Sequence, residues 1–341
     1  MRVAFDAQLS VGTATGIGEY AMGLSAALRR RGCDLVELRE PDLDPWRFDR
    51  RVLWDQVLLP MRARRSRAQV LHCPGGTMPW STRMPVVVTV HDLAWLRVQG
   101  HARAYARWYF GRFSLARYAR AAAIVADSEF SAGELREALP HCPAPIAVVY
   151  PGVAHDFSAL ARAGGDGRTI LAVGTVEPRK NLALLVRLLP RWPQARLVSV
   201  GPHTPYAREC AALAERLGVA ERVELRGYVA REEVLELYRT AAVAAVPSSY
   251  EGFGYAAAQA LCAGLPCVVS DRSSLPEVAG GDAEIAPLVD DERWMAAVRA
   301  ALEGKCDAPA AAARSRAARR FSWDAAAAAM EEVYRAALAR D

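Results

Sequence analysis

Residues 247–276 read PSSYEGFGYAAAQALCAGLPCVVSDRSSLP, and their types and spacing suit the binding of an anion. A carboxylate, Glu251, is followed at once by Gly252, Phe253 and Gly254. Tyr255 then opens an Ala-rich helical stretch that stops at Gly264, before an apolar run, Cys267 to Ser270. Glycines let a ligand approach the backbone, and a helix start offers N–H groups without helical partners.

A second run, Gly174-Thr175-Val176-Glu177-Pro178-Arg179-Lys180-Asn181, follows the apolar stretch Ile170–Val173 and leads into another helical pattern. Two cations near a helix start oppose its dipole, so a purely structural role fits poorly. A pyrophosphate would explain them through charge-assisted bonds. Only two lysines occur in the chain, Lys180 and Lys305, and one falls here. The plainer reading is a pair of solvated surface cations.

Two further features sit in the first half. Gly16-Ile17-Gly18-Glu19-Tyr20-Ala21 matches G-x-G-x-x-A, the dinucleotide pattern, which alone is a weak signal. Gln8 to Thr15 separate it from the first apolar run, a longer loop than the tight turn of a nicotinamide site. His91-Asp92 ends the run Val86–Val90, where strand ends face a ligand, and His72 ends a neighbouring run. His91 reads as functional and His72 as structural. The carboxylates near Glu251 lack D-x-D spacing, and no Cys-His zinc pattern appears.

These motifs resemble those of the nucleotide-sugar glycosyltransferases of the retaining GT-B group, family 4, with a mannosyltransferase-like subgroup nearest in pattern. The likeness rests on E-G-F-G at 251–254, on G-T-x-E-P-R-K-N at 174–181, on G-I-G-x-Y at 16–20 and on His91-Asp92. It extends to Asp127-Ser128-Glu129-Phe130-Ser131, Ser248, Tyr250 and Ser273-Ser274-Leu275-Pro276-Glu277, nearly the whole chain. The resemblance implies a metal-independent enzyme without a cofactor, moving a hexose from a GDP-, dTDP- or UDP-sugar to a glycan or lipid-linked acceptor in cell-surface glycan synthesis. It implies His91, Arg179, Lys180 and Glu251 as catalytic. It implies Gly16, Gly18, Gly174, Thr175, Gly252, Phe253, Gly254, Tyr255 and Gln259 as donor-binding. Two positions depart from the pattern: Thr175 where many members have Arg, and Gln259 where a second Glu grips the ribose hydroxyls. An amide has one acceptor oxygen where a carboxylate has two, which suits a deoxyribose, hence dTDP. A non-catalytic sugar-nucleotide-binding relative and an NAD-dependent oxidoreductase stay open as alternatives.

The positioning elements follow from pattern. A chain of 341 residues suits two domains of roughly 150. Apolar runs alternate with helical patterns twice over, around a Gly-rich joint at 163–167, which predicts α/β architecture: two Rossmann-like domains facing a central cleft. The expected boundaries are 1–163 for acceptor binding, 168–321 for the nucleotide sugar, and 322–341 as a helix returning to the first domain. MRVAFDAQ reads as a first strand, not a leader. Seven scattered cysteines fit neither disulfides nor zinc, and point to a cytoplasmic setting.

Charge is uneven: residues 1–165 carry 21 Arg against 15 acids, net +6, within an overall +5. No nucleic-acid motif accompanies it. Arg50–Arg67 places Leu53, Trp54, Val57, Leu58 and Met61 on one predicted helical face, followed by Arg62, Arg64, Arg65 and Arg67. His101–Arg120 places Tyr105, Trp108, Tyr109 and Phe113 at helical spacing. Such stretches fit peripheral attachment to the inner membrane face, or a buried core with an Arg-biased surface.

Overall fold

A computed structural model describes residues 1–12, 16–98, 104–162, 164–304, 313 and 316–340. The chain forms two units, Met1–Gly152 with Phe321–Asp341, and Val153–Arg320.

The first unit is built on six parallel strands: β1 (Arg2–Asp6), β2 (Asp34–Leu38), β3 (Val70–Cys73), β4 (Val86–Val90), β5 (Ala123–Ala126) and β6 (Ile146–Val148). Their order is β2-β1-β3-β4-β5-β6. The second unit repeats the plan with β7 (Thr169–Val173), β8 (Arg196–Val200), β9 (Val223–Leu225), β10 (Val243–Val246), β11 (Cys267–Ser270) and β12 (Glu284–Ala286), ordered β12-β11-β10-β7-β8-β9. Central strands such as Val86–Val90 and Val243–Val246 are apolar at nearly every position because helices cover both faces. In each sheet the chain starts near the middle, builds one edge and then the other. The reversal falls between β1 and β3 in one unit and between β7 and β10 in the other. Ligands of open α/β sheets bind beyond the strand ends at such points.

The alternation of strands and helices agrees with the sequence reading, and some local details differ. The three-residue strand β12 has no usable pattern in the sequence. The stretch read as one helix over Arg50–Arg64 is interrupted by a π-helical segment, Trp54–Leu58, and a second such segment spans Arg107–Phe113. The expected common apolar face also divides. Trp54 is wholly buried, whereas Leu53, Val57 and Met61 are exposed. The inward face is formed by Arg51, Trp54, Asp55 and Leu59, so the exposed Leu53, Val57 and Met61 belong to another side. Arg62 turns back to Glu40, while Arg64, Arg65 and Arg67 stay exposed. Tyr109 is buried; Tyr105 and Trp108 are exposed; His101 lies outside the described residues.

The helix Trp323–Leu338 is part of the first unit's core. Ala326, Ala327, Met330, Tyr334 and Ala337 pack with Val3, Phe5, Tyr20 and Leu24. Tyr334 Oη meets His72 Nδ1 at 2.7 Å, and Thr89 Oγ1 meets His72 Nε2 at 2.9 Å. Burial pushes the His72 imidazole down to about 3, so His72 is a neutral core residue. Gly23 and Gly152 leave space for the Trp323 indole, and a Cβ at Gly152 would also collide with the Trp323 backbone nitrogen. Backbone cannot swing aside as a side-chain tip can. Gly152→Ala is therefore expected to cost about 1–3 kcal/mol in urea unfolding, as overpacking does. Wild-type stability would show that Trp323 is not seated on Gly152.

Candidate functional site

The second unit gathers its charged residues where β7 and β10 lie side by side. Gly174 leaves β7 at φ 132°, a backbone region that favours glycine, and its N–H donates to the Val200 carbonyl at 2.8 Å. Pro178–Lys180 forms a single 3-10 turn. Asn181 then adopts a left-handed conformation, φ 53°, and the helix begins only at Leu182. Arg179 and Lys180 thus precede the helix, near its start as the sequence suggested. The left-handed residue turns the chain between the two elements.

From the β10 side, the loop after Val246 delivers Ser248 and Glu251. Lys180 Nζ donates to Glu251 Oε1 at 2.6 Å, Ser248 Oγ to the same oxygen at 2.7 Å, and Arg179 Nη1 to Oε2 at 3.3 Å. Arg179 Nε lies 2.8 Å from Glu177 Oε1. The Glu251 backbone is fixed as well. Its N–H donates to Ser273 Oγ at 2.8 Å, and Ser274 Oγ donates to its carbonyl at 3.0 Å. Ser273 holds a left-handed φ of 52°, an uncommon state for a non-glycine residue, maintained by this contact network. Burial alone would raise the Glu251 pKa. Lys180 first, and then Arg179, outweigh it and hold the carboxyl below its usual range.

Gly252, Phe253 and Gly254 are buried. Gly254 sits at φ 93°, a backbone conformation that favours glycine, and a Cβ there would come within 2.8 Å of Leu275 Cδ2 at the tip of that side chain. The helix Tyr255–Ala263 follows, with the Tyr255 ring edge-on to Phe253 at 5.2 Å. One turn along, Gln259 Oε1 accepts from the Tyr238 hydroxyl at 3.0 Å. Thr175 lines a narrow recess with Gly174, Lys180, Pro247 and Ser248. Among the described residues no group of three His, Cys, Asp or Glu is placed to hold a metal ion.

The other expected site residues belong to the first unit. Gly16 and Gly18 lie in the first turn of the helix Gly16–Arg30. His91 follows β4 directly. Its Nδ1 lies 2.6 Å from Asp127 Oδ2, and its Nε2 lies 2.7 Å from the Pro74 carbonyl oxygen. A carboxylate and a carbonyl can only accept, so each ring nitrogen carries a proton and the imidazole is a cation. Burial pulls its pKa down, but Asp127, the Pro74 carbonyl and Asp92 together raise it above the ordinary histidine value. The Tyr20 ring stands edge-on at 4.8 Å. Asp127 was not singled out from the sequence as the partner of His91. The signal was there in the strand ends: Val90 pairs with Ala126 across β4 and β5, so His91 and Asp127 are the next residues on neighbouring strands.

The charge on His91 has a pH signature. A group whose pKa is raised by folding stabilises fully below its unfolded value, about 6.5 for histidine, and loses that contribution as pH rises through the folded value. Urea unfolding of wild type and His91→Asn should therefore show a gap of about 1–3 kcal/mol at pH 6 that narrows steadily above pH 6.5. A gap that stays constant or widens with pH would show that His91 is neutral in the native state.

With this geometry in view, comparison with known proteins is informative. Residues 14–157 match the model described as Glycosyltransferase Family 4, and residues 159–321 match Glycosyl transferases group 1. A D-inositol 3-phosphate glycosyltransferase of Kineococcus radiotolerans is 31% identical over 304 residues, 77% of this chain and 69% of the relative. One from Xylanimonas cellulosilytica is 40% identical over 184 residues, 51% of this chain and 44% of the relative. Against the latter, and against the 62% covered of a Segniliparus rotundus relative, the chain spans less than two thirds of the relative's length. Among solved structures, a sucrose-phosphate synthase from Thermosynechococcus elongatus superposes with a TM-score of 0.78 at 20% identity, covering all of both chains. Anabaena HepE in complex with UDP-glucose gives 0.69 at 16% identity, covering 98% of this chain and 99% of that one. The solved structures share the architecture of two Rossmann-like units; the sequence matches carry the relationship, and by them the chain belongs to the group 1, family 4 glycosyltransferases of GT-B type.

Proposed function

We propose that the protein is a retaining, metal-independent hexosyltransferase that moves a sugar from a nucleoside diphosphate to an acceptor hydroxyl, in cell-surface glycan synthesis. The observation that carries this reading is the cluster of Arg179, Lys180, Ser248 and Glu251 at the β7–β10 reversal. As the glycosidic C–O bond breaks, negative charge grows on the β-phosphate. An ammonium has three N–H donors, and Lys180 directs one to Glu251, so it can also face a phosphate. Fixed donors aimed at developing charge are usually the largest catalytic effect. In this reading Glu251 holds the two cations in place and meets a donor-sugar hydroxyl. The main chain of Gly252, Phe253 and Gly254 lies beside the sugar, Gly174 and Thr175 lie under the diphosphate, and Gln259 faces the ribose. By the family resemblance His91 is assigned to the sugar, and Gly16 and Gly18 to the phosphates.

The family relationship displaces the nicotinamide reading of Gly16-x-Gly18. It leaves the non-catalytic relative to experiment. Anabaena HepE is solved with UDP and with UDP-glucose, which supports UDP as a base to try first beside GDP and the dTDP suggested by Gln259. The names of the curated relatives support a polyol or sugar acceptor.

One experiment tests the assignment. A thermal-shift panel of UDP-, GDP-, dTDP- and ADP-sugars should single out one nucleotide, since ligand at 100-fold over Kd stabilises by about 2.7 kcal/mol. With that donor, Lys180→Ala and Arg179→Ala should each lower kcat by about 100-fold or more, and chelation of divalent cations should leave wild-type transfer unchanged. A loss confined to KM, or a rate restored only by Mg²⁺ or Mn²⁺, would contradict these roles. Binding without any turnover on any acceptor would favour the non-catalytic relative.

Peripheral membrane attachment is the second part of the proposal, and the exposed row Leu53, Val57 and Met61 supports it, with Arg64, Arg65 and Arg67 exposed just after it. Trp80 and Trp108 are exposed in the same unit, at 58% and 56%. Among the described residues no helix is long and apolar enough to cross a membrane. Each Arg near an anionic surface contributes about 1 kcal/mol. Co-sedimentation with anionic vesicles should fall with salt and should be lost when Arg64, Arg65 and Arg67 are changed to Glu. No sedimentation at low salt and high anionic lipid would leave these side chains without a membrane role.

A further inference from the structure

The first unit contains a cavity of about 450 Å³, within the range of small-molecule sites. It lies beyond the ends of β1, β3 and β4, where the strand order reverses: Leu9 follows β1, Gly75 and Gly76 follow β3, and Val90 to Asp92 end β4. Six aromatic residues line it: Trp46, Phe48, Trp95, Tyr105, Phe110 and Tyr118. Among the described residues its charged lining is Arg51, His91 and Asp92.

Arg51 is the unusual member. It is 3% exposed and belongs to a buried network. Its Nε donates to Asp55 Oδ2 at 3.0 Å, and its Nη2 donates to Thr77 Oγ1 at 2.6 Å. The Tyr109 hydroxyl donates to the same Asp55 oxygen at 2.9 Å. Nη1 has no hydrogen-bond partner among the described residues. A buried guanidinium N–H without an acceptor costs free energy, and Arg51 lines the cavity, so a ligand oxygen that reached Nη1 would relieve it. Gly75 lets Arg51 and Leu9 pack against the main chain at this corner, because a Cβ there would come within 2.8 Å of Arg51 Nη2 and 2.5 Å of Leu9 Cδ1.

Charge balance restricts the ligand. Arg51 already has Asp55, and His91 already has Asp127, while Asp92 adds a negative charge of its own. Among the described residues the cavity therefore has no surplus of cations for a phosphate. A polyol would lose its water to aromatic walls that offer few hydrogen bonds in return. A compact apolar body loses nothing by entering.

We propose that this cavity binds the acceptor, and that the acceptor is an uncharged alcohol on a compact apolar body, with one oxygen accepting from Arg51 and its hydroxyl end toward His91 and Asp92. The proposal rests on the glycosyltransferase reading above and departs from an inositol phosphate acceptor, the kind named for the curated relatives.

The test is calorimetric binding to the full chain of three probes: 2-naphthyl β-glucoside, octyl β-glucoside below its micelle threshold, and inositol 3-phosphate. One of the two apolar glucosides should bind at least tenfold more tightly than inositol 3-phosphate. Preference for naphthyl identifies a ring-built body, and preference for octyl a chain. Ala106→Trp, which places an indole in the cavity wall, should weaken that binding tenfold or more, and Tyr105→Ala at the exposed rim should weaken it several-fold. Both variants should keep wild-type affinity for the nucleotide found by the panel, which shows that they fold. Tighter binding of inositol 3-phosphate, no binding of either glucoside, or glucoside affinity untouched by both variants would overturn the proposal. Absence of any nucleotide binding in wild type would instead strike the glycosyltransferase reading.

Discussion

The carboxylate of Glu251 ties two loops that the sheet brings side by side. It accepts from Lys180 and Arg179 on the β7 side and from Ser248 on its own side, while Ser273 and Ser274 fix its backbone from beyond β11. Two cations next to each other in a partly buried site would repel without it. Desolvation opposes the arrangement, and the two opposite charges outweigh it, so the carboxyl stays ionised. The surrounding specializations serve this contact: the positive φ of Gly174 and Ser273, the left-handed Asn181 that ends the cationic turn, and the missing side chain of Gly254 against Leu275.

The first unit solves a related problem with neutral and charged groups in separate layers. His72 is buried between the Thr89 and Tyr334 hydroxyls and is kept neutral. His91, at the end of the adjacent strand, meets a carboxylate and a carbonyl and is kept charged. Two histidines at similar sequence positions thus receive opposite protonation states from their partners. Deeper still, burial raises Asp6 to about 6 even though it accepts from the Trp54 indole at 2.9 Å. The π-helical segments at Trp54–Leu58 and Arg107–Phe113 bring Asp55 and Tyr109 inward to this layer. The terminal helix takes part in this interior through Tyr334, whose hydroxyl meets His72.

Much of the plan was legible in the sequence because its signals are local. Valine-rich runs separated by helical patterns announce parallel strands covered on both faces. Glycines beside Glu251 and cations beside Pro178 mark the two loops that the structure brings together. Where the reading slipped, a local pattern was overruled by packing. Arg179 and Lys180 were read as lying near a helix start, but their own 3-10 turn and the left-handed Asn181 that separates it from the helix had no signal in the sequence. Leu53 and Trp54 looked like neighbours on one face, and one is exposed while the other is buried. Asp127 stood in a motif with no role, because its partner lies 36 residues away on another strand.

The sequence by itself determined most element types, the family and the chemical character of the loops around Glu251 and Lys180, since propensity, glycine placement and charge act over a few residues. It did not determine which charges meet. Glu251 and Lys180 are 71 residues apart, and Tyr334 and His72 are 262 apart. Those contacts exist because strand order places β10 beside β7 and because the last helix returns to the first sheet. Register and order of parallel strands are properties of the whole sheet, settled by burial of both faces at once, and tertiary structure alone decided them.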